Sequence, residues 1–136
     1  GLNWVAGDAA YLPFNQSSFN NITCAFGIRN VAEIEKTLNE CYKVLKPGGK
    51  LMILEFSPEV IIPFQQFYDY YLKNVLPFLG DKIANNKEAY QYLAESIETF
   101  YTPSDFCTLL ESVKFKIVKL KKYLSGTACL YIATRI

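Results

Sequence analysis

Residues 30–56 leave this chain little choice of fold. They read Asn-Val-Ala-Glu-Ile-Glu-Lys-Thr-Leu-Asn-Glu-Cys-Tyr-Lys-Val-Leu-Lys-Pro-Gly-Gly-Lys-Leu-Met-Ile-Leu-Glu-Phe. Val31, Ile34, Leu38, Cys41, Tyr42 and Leu45 recur at steps of three and four, the period of a helix with one buried face. Asn30 stands where a cap accepts the first free N–H groups, and Glu33 completes a capping box. Lys46 suits the negative end of the helix dipole. Pro47 stops the helix, and Gly48-Gly49 supply the turn. Leu51, Met52, Ile53 and Leu54 then run apolar without a break, the pattern of a strand covered on both faces. Helix, tight turn and buried strand make half of a parallel βαβ unit, and residues 21–26 are the strand expected before it.

The rest of the composition narrows the class. At 136 residues and 51% hydrophobic content the chain can bury one domain core. A net charge of +1 argues against a nucleic-acid surface. No apolar run reaches the roughly 20 residues that span a bilayer. The opening Gly-Leu-Asn-Trp-Val has neither the charged start nor the cleavage site of a signal peptide. Cys24, Cys41, Cys107 and Cys129 are not at metal-ligand spacing and read as free thiols in a reducing compartment, with no metal site expected. The chain has no histidine, so acid–base chemistry would fall to a carboxylate, Tyr, Lys, Arg, a thiol or water.

Taken in order, residues 2–6 are a short apolar run compatible with a strand, followed by a turn at Gly7-Asp8-Ala9-Ala10. Pro13 holds Leu12 extended. Residues 19–27 become wholly apolar, as a central strand does. After Phe56, Ser57-Pro58 breaks the strand. Phe64, Phe67, Tyr68, Tyr71, Leu72, Val75 and Leu76 mark one helical stripe, opened by Pro63 and ended by Pro77 and Gly80. Residues 84–87 are a polar link, and Tyr90, Leu93, Ala94, Ile97 and Tyr101 mark a second stripe. Thr102-Pro103-Ser104-Asp105 is a helix start, with Phe106, Leu109, Leu110 and Val113 as its buried face. Residues 115–123 and 127–134 are two strands close enough to form an antiparallel hairpin. The fold class is α/β: a partial Rossmann-like parallel sheet ending in that hairpin. The whole chain, 1–136, reads as one domain, with 57–101 as a helical cover.

Ligands of open α/β sheets sit at the carboxyl ends of the parallel strands. Those ends carry Asp8, Arg29 and Glu55. Asp8 suits either an amine ligand, such as that of an adenine, or a turn. Arg29 suits either an anionic oxygen or open solvent. Glu55 suits a site carboxylate or a strand-end partner for a lysine. The Phe64–Tyr71 stripe is either core or the wall of an apolar pocket with hydroxyl tips. The lysines at 114, 116, 119, 121 and 122 read as a solvated strand face. No Gly-x-Gly-x-x-Gly or P-loop occurs.

Several segments together resemble a known family. They are Gly7-Asp8-Ala9, Leu12-Pro13-Phe14, Phe19-Asn20-Asn21-Ile22-Thr23, Phe26-Gly27-Ile28-Arg29-Asn30, Val44-Leu45-Lys46-Pro47-Gly48-Gly49 and Leu54-Glu55-Phe56-Ser57. They resemble class I S-adenosylmethionine-dependent methyltransferases. Val75-Leu76-Pro77 with Gly80, and Tyr90-Gln91-Tyr92-Leu93-Ala94-Glu95-Ser96-Ile97, are similar to the C-methyltransferases of menaquinone and ubiquinone biosynthesis in particular.

That resemblance implies S-adenosylmethionine as cofactor, met by Asp8 and Ala9 at its adenine and by Ala25 and Phe26 nearby. Ala25 replaces a serine common in the family, leaving backbone contact alone. Arg29 is implied as the residue that assists loss of the ring proton through water. Glu55, Phe67, Tyr68, Tyr71 and Tyr92 are the implied substrate pocket for a polyprenylated quinol. Tyr131 stands where relatives tend to carry histidine, and nothing functional follows there. The family's glycine-rich cofactor loop is not in this sequence, so the chain reads as the carboxyl-terminal part of a methyltransferase, inactive by itself. Expected with it are a cytoplasmic place, or the mitochondrial matrix in a eukaryote, peripheral contact with the membrane, and self-association through an exposed sheet edge. A non-catalytic quinone- or lipid-binding module and another Rossmann-like nucleotide enzyme are the alternatives.

Overall fold

The computed structural model describes residues 1–60, 63–83 and 85–136. The Pro63 end of the first helical stripe therefore borders, and the 84–87 link contains, residues outside that description. Four strands form one sheet in the order β1-β2-β4-β3: β1 Phe19–Ala25, β2 Leu45–Phe56, β3 Phe115–Tyr123 and β4 Ala128–Arg135. β1 and β2 are parallel, with Ile22 opposite Leu51 and Cys24 opposite Ile53. β4 runs antiparallel to both β2 and β3, completing the expected hairpin. The sheet is thus mixed, and its two edges are β1 and β3.

Helix α1, Ile34–Val44, carries the chain from β1 to β2. It begins three residues later than the spacing predicts and ends two residues earlier than Lys46. Asn30 is no cap: residues Ile28–Asn30 form a single 3-10 turn, and the Asn30 carboxamide is engaged elsewhere. Pairing of β2 starts at Leu45, before the Pro-Gly-Gly segment, where Gly48 takes φ +77°.

Helix α1 and helix α5, Pro103–Ser112, cover one face of the sheet. Leu38, Cys41, Phe106 and Leu110 pack there on Leu51, Ile53, Tyr131 and Ala133, all buried. Thr102 caps α5 as expected, its hydroxyl accepting from the Asp105 N–H at 3.2 Å. By the alternation of the pleat, Met52, Leu54, Leu130 and Ile132 point to the opposite face. They are only half-buried, so β2 is covered less on this face than on the other. Residues 2–6 form no strand. Among the described residues no strand lies beside them to take their N–H and C=O groups, and Leu2 and Trp4 are 83% and 90% exposed.

Between β2 and α5 come α2, Gln65–Tyr70, a π-turn segment, Tyr71–Val75, α3, Leu76–Lys82, and α4, Lys87–Glu98. Pro77 and Gly80 do not end the first stripe. Pro77 sits in the first turn of α3, directly after the Tyr71–Val75 π segment. Gly80 is buried where α3 meets α4, and a Cβ there would lie 2.6 Å from the Tyr90 Cβ. Leu72, Ala94 and Ile97 form a second small core, with Phe56, Tyr68 and Tyr71 packed against it.

Candidate functional site

The parallel strands β1 and β2 both end at one corner of the sheet, and the chain there is tightly folded. Phe26 leaves β1 in a left-handed conformation, φ +54°. Its N–H still reaches the Leu54 carbonyl at 2.8 Å. The 3-10 turn that follows brings Arg29 back over the end of β2. The guanidinium Nη1 donates to Glu55 Oε1 at 2.8 Å and to the Phe26 carbonyl at 2.7 Å. Nε donates to Ser96 Oγ on α4 at 3.2 Å. Its Cζ lies 5.4 Å from the centre of the Phe56 ring.

Glu55 is fully buried, and the Arg29 side chain is 8% exposed. An unpaired carboxylate would not survive such burial. Here Oε1 also accepts from the Phe56 N–H at 2.8 Å, and Oε2 accepts from the Arg29 N–H at 3.3 Å. Charge-assisted bonds of this kind offset the loss of water. Two readings of the sequence fall with this: Arg29 is not a solvated loop arginine, and the partner of Glu55 is not a lysine. Among the described residues Nη2 carries no hydrogen bond and is the donor left over.

A second cluster adjoins the first through Phe56, whose ring lies 4.6 Å from that of Phe26. Phe67, Tyr68 and Tyr71 line an apolar cavity of about 160 Å³ with Val60, Phe64, Ser125 and Thr127. The Tyr68 hydroxyl donates to the Ser57 carbonyl at 3.2 Å, and burial pushes its pKa up to about 12. Tyr92 is not in that cavity. Its hydroxyl donates to Asn30 Oδ1 at 2.9 Å, on the Arg29 side. A recess of about 480 Å³ along residues 32–39 and Tyr101 holds none of the predicted site residues.

The Asp8 turn stands apart. Oδ1 accepts from the Ala10 N–H at 2.9 Å, the local bond of a turn-forming aspartate. The Leu12 N–H donates to Glu40 Oε2 at 3.0 Å, fixing the loop to α1. Among the described residues no hydrogen bond joins this turn to Arg29. Asp8 is exposed, with Oδ2 left over. Ala25 is exposed too, and Phe26 is 39% exposed. Burial raises the thiol pKa of Cys24, Cys41, Cys107 and Cys129, that of Cys41 to about 11, so none is an activated nucleophile. Among the described residues no helix is long and apolar enough to cross a membrane.

Sequence reading missed Ser96 and the link from Tyr92 to Asn30. A signal was available: Tyr92 and Ser96 lie four apart on α4, so both face the same neighbour.

The sheet and its flanking helices have the class I methyltransferase fold. A methyltransferase from Aquifex aeolicus described as S-adenosylmethionine-dependent superposes with a TM-score of 0.65 at 14% identity, covering 98% of this chain and 55% of that one. The cyclase SpnF superposes equally well, at 0.66 and 12% identity over 96% and 54%, so this architecture alone does not decide the chemistry. Sequence does more: the chain belongs to the ubiE/COQ5 methyltransferase family, whose profile matches residues 1–135. It is 44% identical over 135 residues to the ubiquinone/menaquinone biosynthesis C-methyltransferase UbiE of Cereibacter sphaeroides, 99% of this chain and 54% of that protein. It is also 44% identical over 131 residues to the mitochondrial 2-methoxy-6-polyprenyl-1,4-benzoquinol methylase of Xenopus laevis, 96% of this chain and 42% of that protein. The chain spans about half the length of the relatives it matches.

Proposed function

We propose that the protein carrying this segment transfers the methyl group of S-adenosylmethionine to a ring carbon of a polyprenylated quinol in ubiquinone or menaquinone biosynthesis. The observation that carries this reading is the 44% identity, along 99% of the chain, to a protein named for that work. The residues present fit the cofactor in part. Asp8 keeps one carboxylate oxygen open to solvent beside the Ala9 backbone, as an adenine amine and ring nitrogen require. Ala25 and Phe26 offer backbone at the end of an edge strand. Bound, S-adenosylmethionine supplies an electrophilic methyl on a sulfonium.

What falls to this chain is mainly positioning. A guanidinium has donors and no acceptor lone pair, so Arg29 cannot itself take up the ring proton. Held through Nε and Nη1, it presents Nη2 to the quinol oxygen or to the water that removes that proton, and steadies the charge that develops there. Glu55 holds the guanidinium in place. Phe67, Tyr68 and Tyr71 offer an apolar wall for the prenyl tail, and Tyr92, hydrogen-bonded to Asn30, stands beside Arg29. Such a tail brings the enzyme to a membrane surface, on the cytoplasmic side or, in a eukaryote, the matrix side.

The test is Arg29→Ala in the full-length enzyme. We expect kcat to fall about 10²-fold or more, with cofactor affinity nearly unchanged. An unchanged kcat would reduce Arg29 to a tether. The 136-residue chain alone, which has no Gly-x-Gly-x-x-Gly turn for the amino-acid end of the cofactor, should show little turnover; a rate near that of the full-length enzyme overturns that part. Strand β1 lies at an edge and carries no charged side chain, so we also propose that the isolated chain self-associates there. A stable monomer by light scattering at micromolar concentration contradicts it.

A further inference from the structure

The proposed function asks α4 only to cover the quinol. Its contacts at the strand ends say more. Two side chains of α4 reach across to the sheet layer, and both land on consecutive residues of one 3-10 turn. Ser96 Oγ accepts from Arg29 Nε at 3.2 Å, and the Tyr92 hydroxyl donates to Asn30 Oδ1 at 2.9 Å. The Ser96 hydroxyl proton is used within the helix, on the Leu93 carbonyl at 2.9 Å, so its oxygen is left facing the arginine as an acceptor. Glu55 and the Phe26 carbonyl both hold Nη1. Those two bonds grip one corner of the planar guanidinium, and both come from the sheet side. The bond at Nε grips the opposite side from α4, and so narrows the range of directions in which Nη2 can point.

We infer that Ser96 is a positioning residue, and that with Tyr92 it latches α4 to the Ile28–Asn30 turn, so that Arg29 is aligned only while α4 is seated. Cover and electrostatic group then become one device. The glutamate orients the arginine from the sheet, and the serine orients it from the lid. The mechanical half stands on the geometry; the consequence for turnover rests on the proposed function.

The experiment uses the full-length protein with Ser96→Ala and Ser96→Thr. Hydrogen exchange is followed across α4, β2 and α5. Steady-state methyl transfer to a polyprenylated quinol and S-adenosylmethionine binding are measured beside it. Ser96→Ala should speed exchange of the α4 amides about fivefold, with β2 and α5 unchanged. It should lower kcat about tenfold while cofactor affinity stays within about twofold, the scale of one hydrogen bond to a charged group. Ser96→Thr, which keeps the oxygen, should restore most of both. Wild-type exchange in α4, or an unchanged kcat, in Ser96→Ala overturns the inference. So does a uniform loss of stability, cofactor affinity and rate that threonine does not rescue. If the wild-type enzyme does not methylate the quinol, the proposed function fails, while exchange still decides whether the latch exists.

Discussion

The sheet with α1 and α5 is a different kind of solid from the α2–α4 layer. Among the described residues, fourteen buried residues form one continuous core in the first, and Leu72, Ala94 and Ile97 alone form that of the second. The first also has a ladder of paired strands to close its backbone; the second has helices resting on a few side chains. A region with so little buried surface opens at a smaller cost than the whole domain. The two meet at Arg29, Glu55 and Ser96, so the proposed chemistry sits at the seam between the rigid part and the yielding one.

The seam should break hardest. Glu55→Ala leaves a buried guanidinium without its carboxylate and should cost about 3–5 kcal/mol in denaturant unfolding. A loss under about 1 kcal/mol would mean that Glu55 does not hold Arg29.

Next comes a matched pair. Phe106 is fully buried in the sheet core, its ring 4.8 Å from that of Tyr131. Phe106→Ala should lower global stability by about 3–5 kcal/mol. Leu72→Ala empties a site that is only 2% exposed, yet it should appear chiefly as faster hydrogen exchange across α2–α4, with a global change under about 1 kcal/mol. Equal global losses would show that the two regions unfold as one.

Gly80→Ala sharpens the contrast from within the lid. The added methyl meets Tyr90 at 2.6 Å and should cost about 1–3 kcal/mol of overpacking, against a helix-propensity gain of about 0.5–1 kcal/mol. We expect α3 and α4 to separate and the sheet to stay protected, as read by exchange.

The smallest effect is in pH. The Tyr68 phenol titrates at about 12 in the folded chain because burial disfavours the phenolate, against about 10 when unfolded. Between those values the unfolded state has released a proton that the folded state keeps. Stability is therefore whole below pH 10 and falls as pH rises toward 12. Tyr68→Phe should flatten that fall; an unaltered slope would place its origin elsewhere.

Periodicity made the sheet side of this molecule readable. Spacing marks Leu38, Cys41, Phe106 and Leu110, because a buried face repeats with its element; Leu51 and Ile53 belong to an unbroken apolar run that does not set them apart from Met52 and Leu54. What spacing could not mark was anything depending on a second element. Residues 2–6 have strand composition but no neighbour to pair with. Asn30 has cap chemistry, yet a tyrosine sixty-two residues away holds its carboxamide. Glu55 and Arg29 were each picked out as strand-end groups, but only the turn at φ +54° on Phe26 brings them together. Gly80 looked like a stop because glycine usually is one; here it is a place where two helices touch.

The two edges of the sheet are unequal, and this gives the fold a direction of growth. β3 ends the sheet with exposed lysines at 116, 119, 121 and 122 and a register shift between Ile117 and Lys119, both of which discourage another strand from adding there. β1 carries no charged side chain, and its register shift, between Phe19 and Asn21, lies at its start, away from the Arg29 corner. A new strand, whatever chain supplies it, has one place to join: beside the strand whose carboxyl end leads into Phe26 and Arg29. Extending the sheet and walling in that corner are consequently a single topological step.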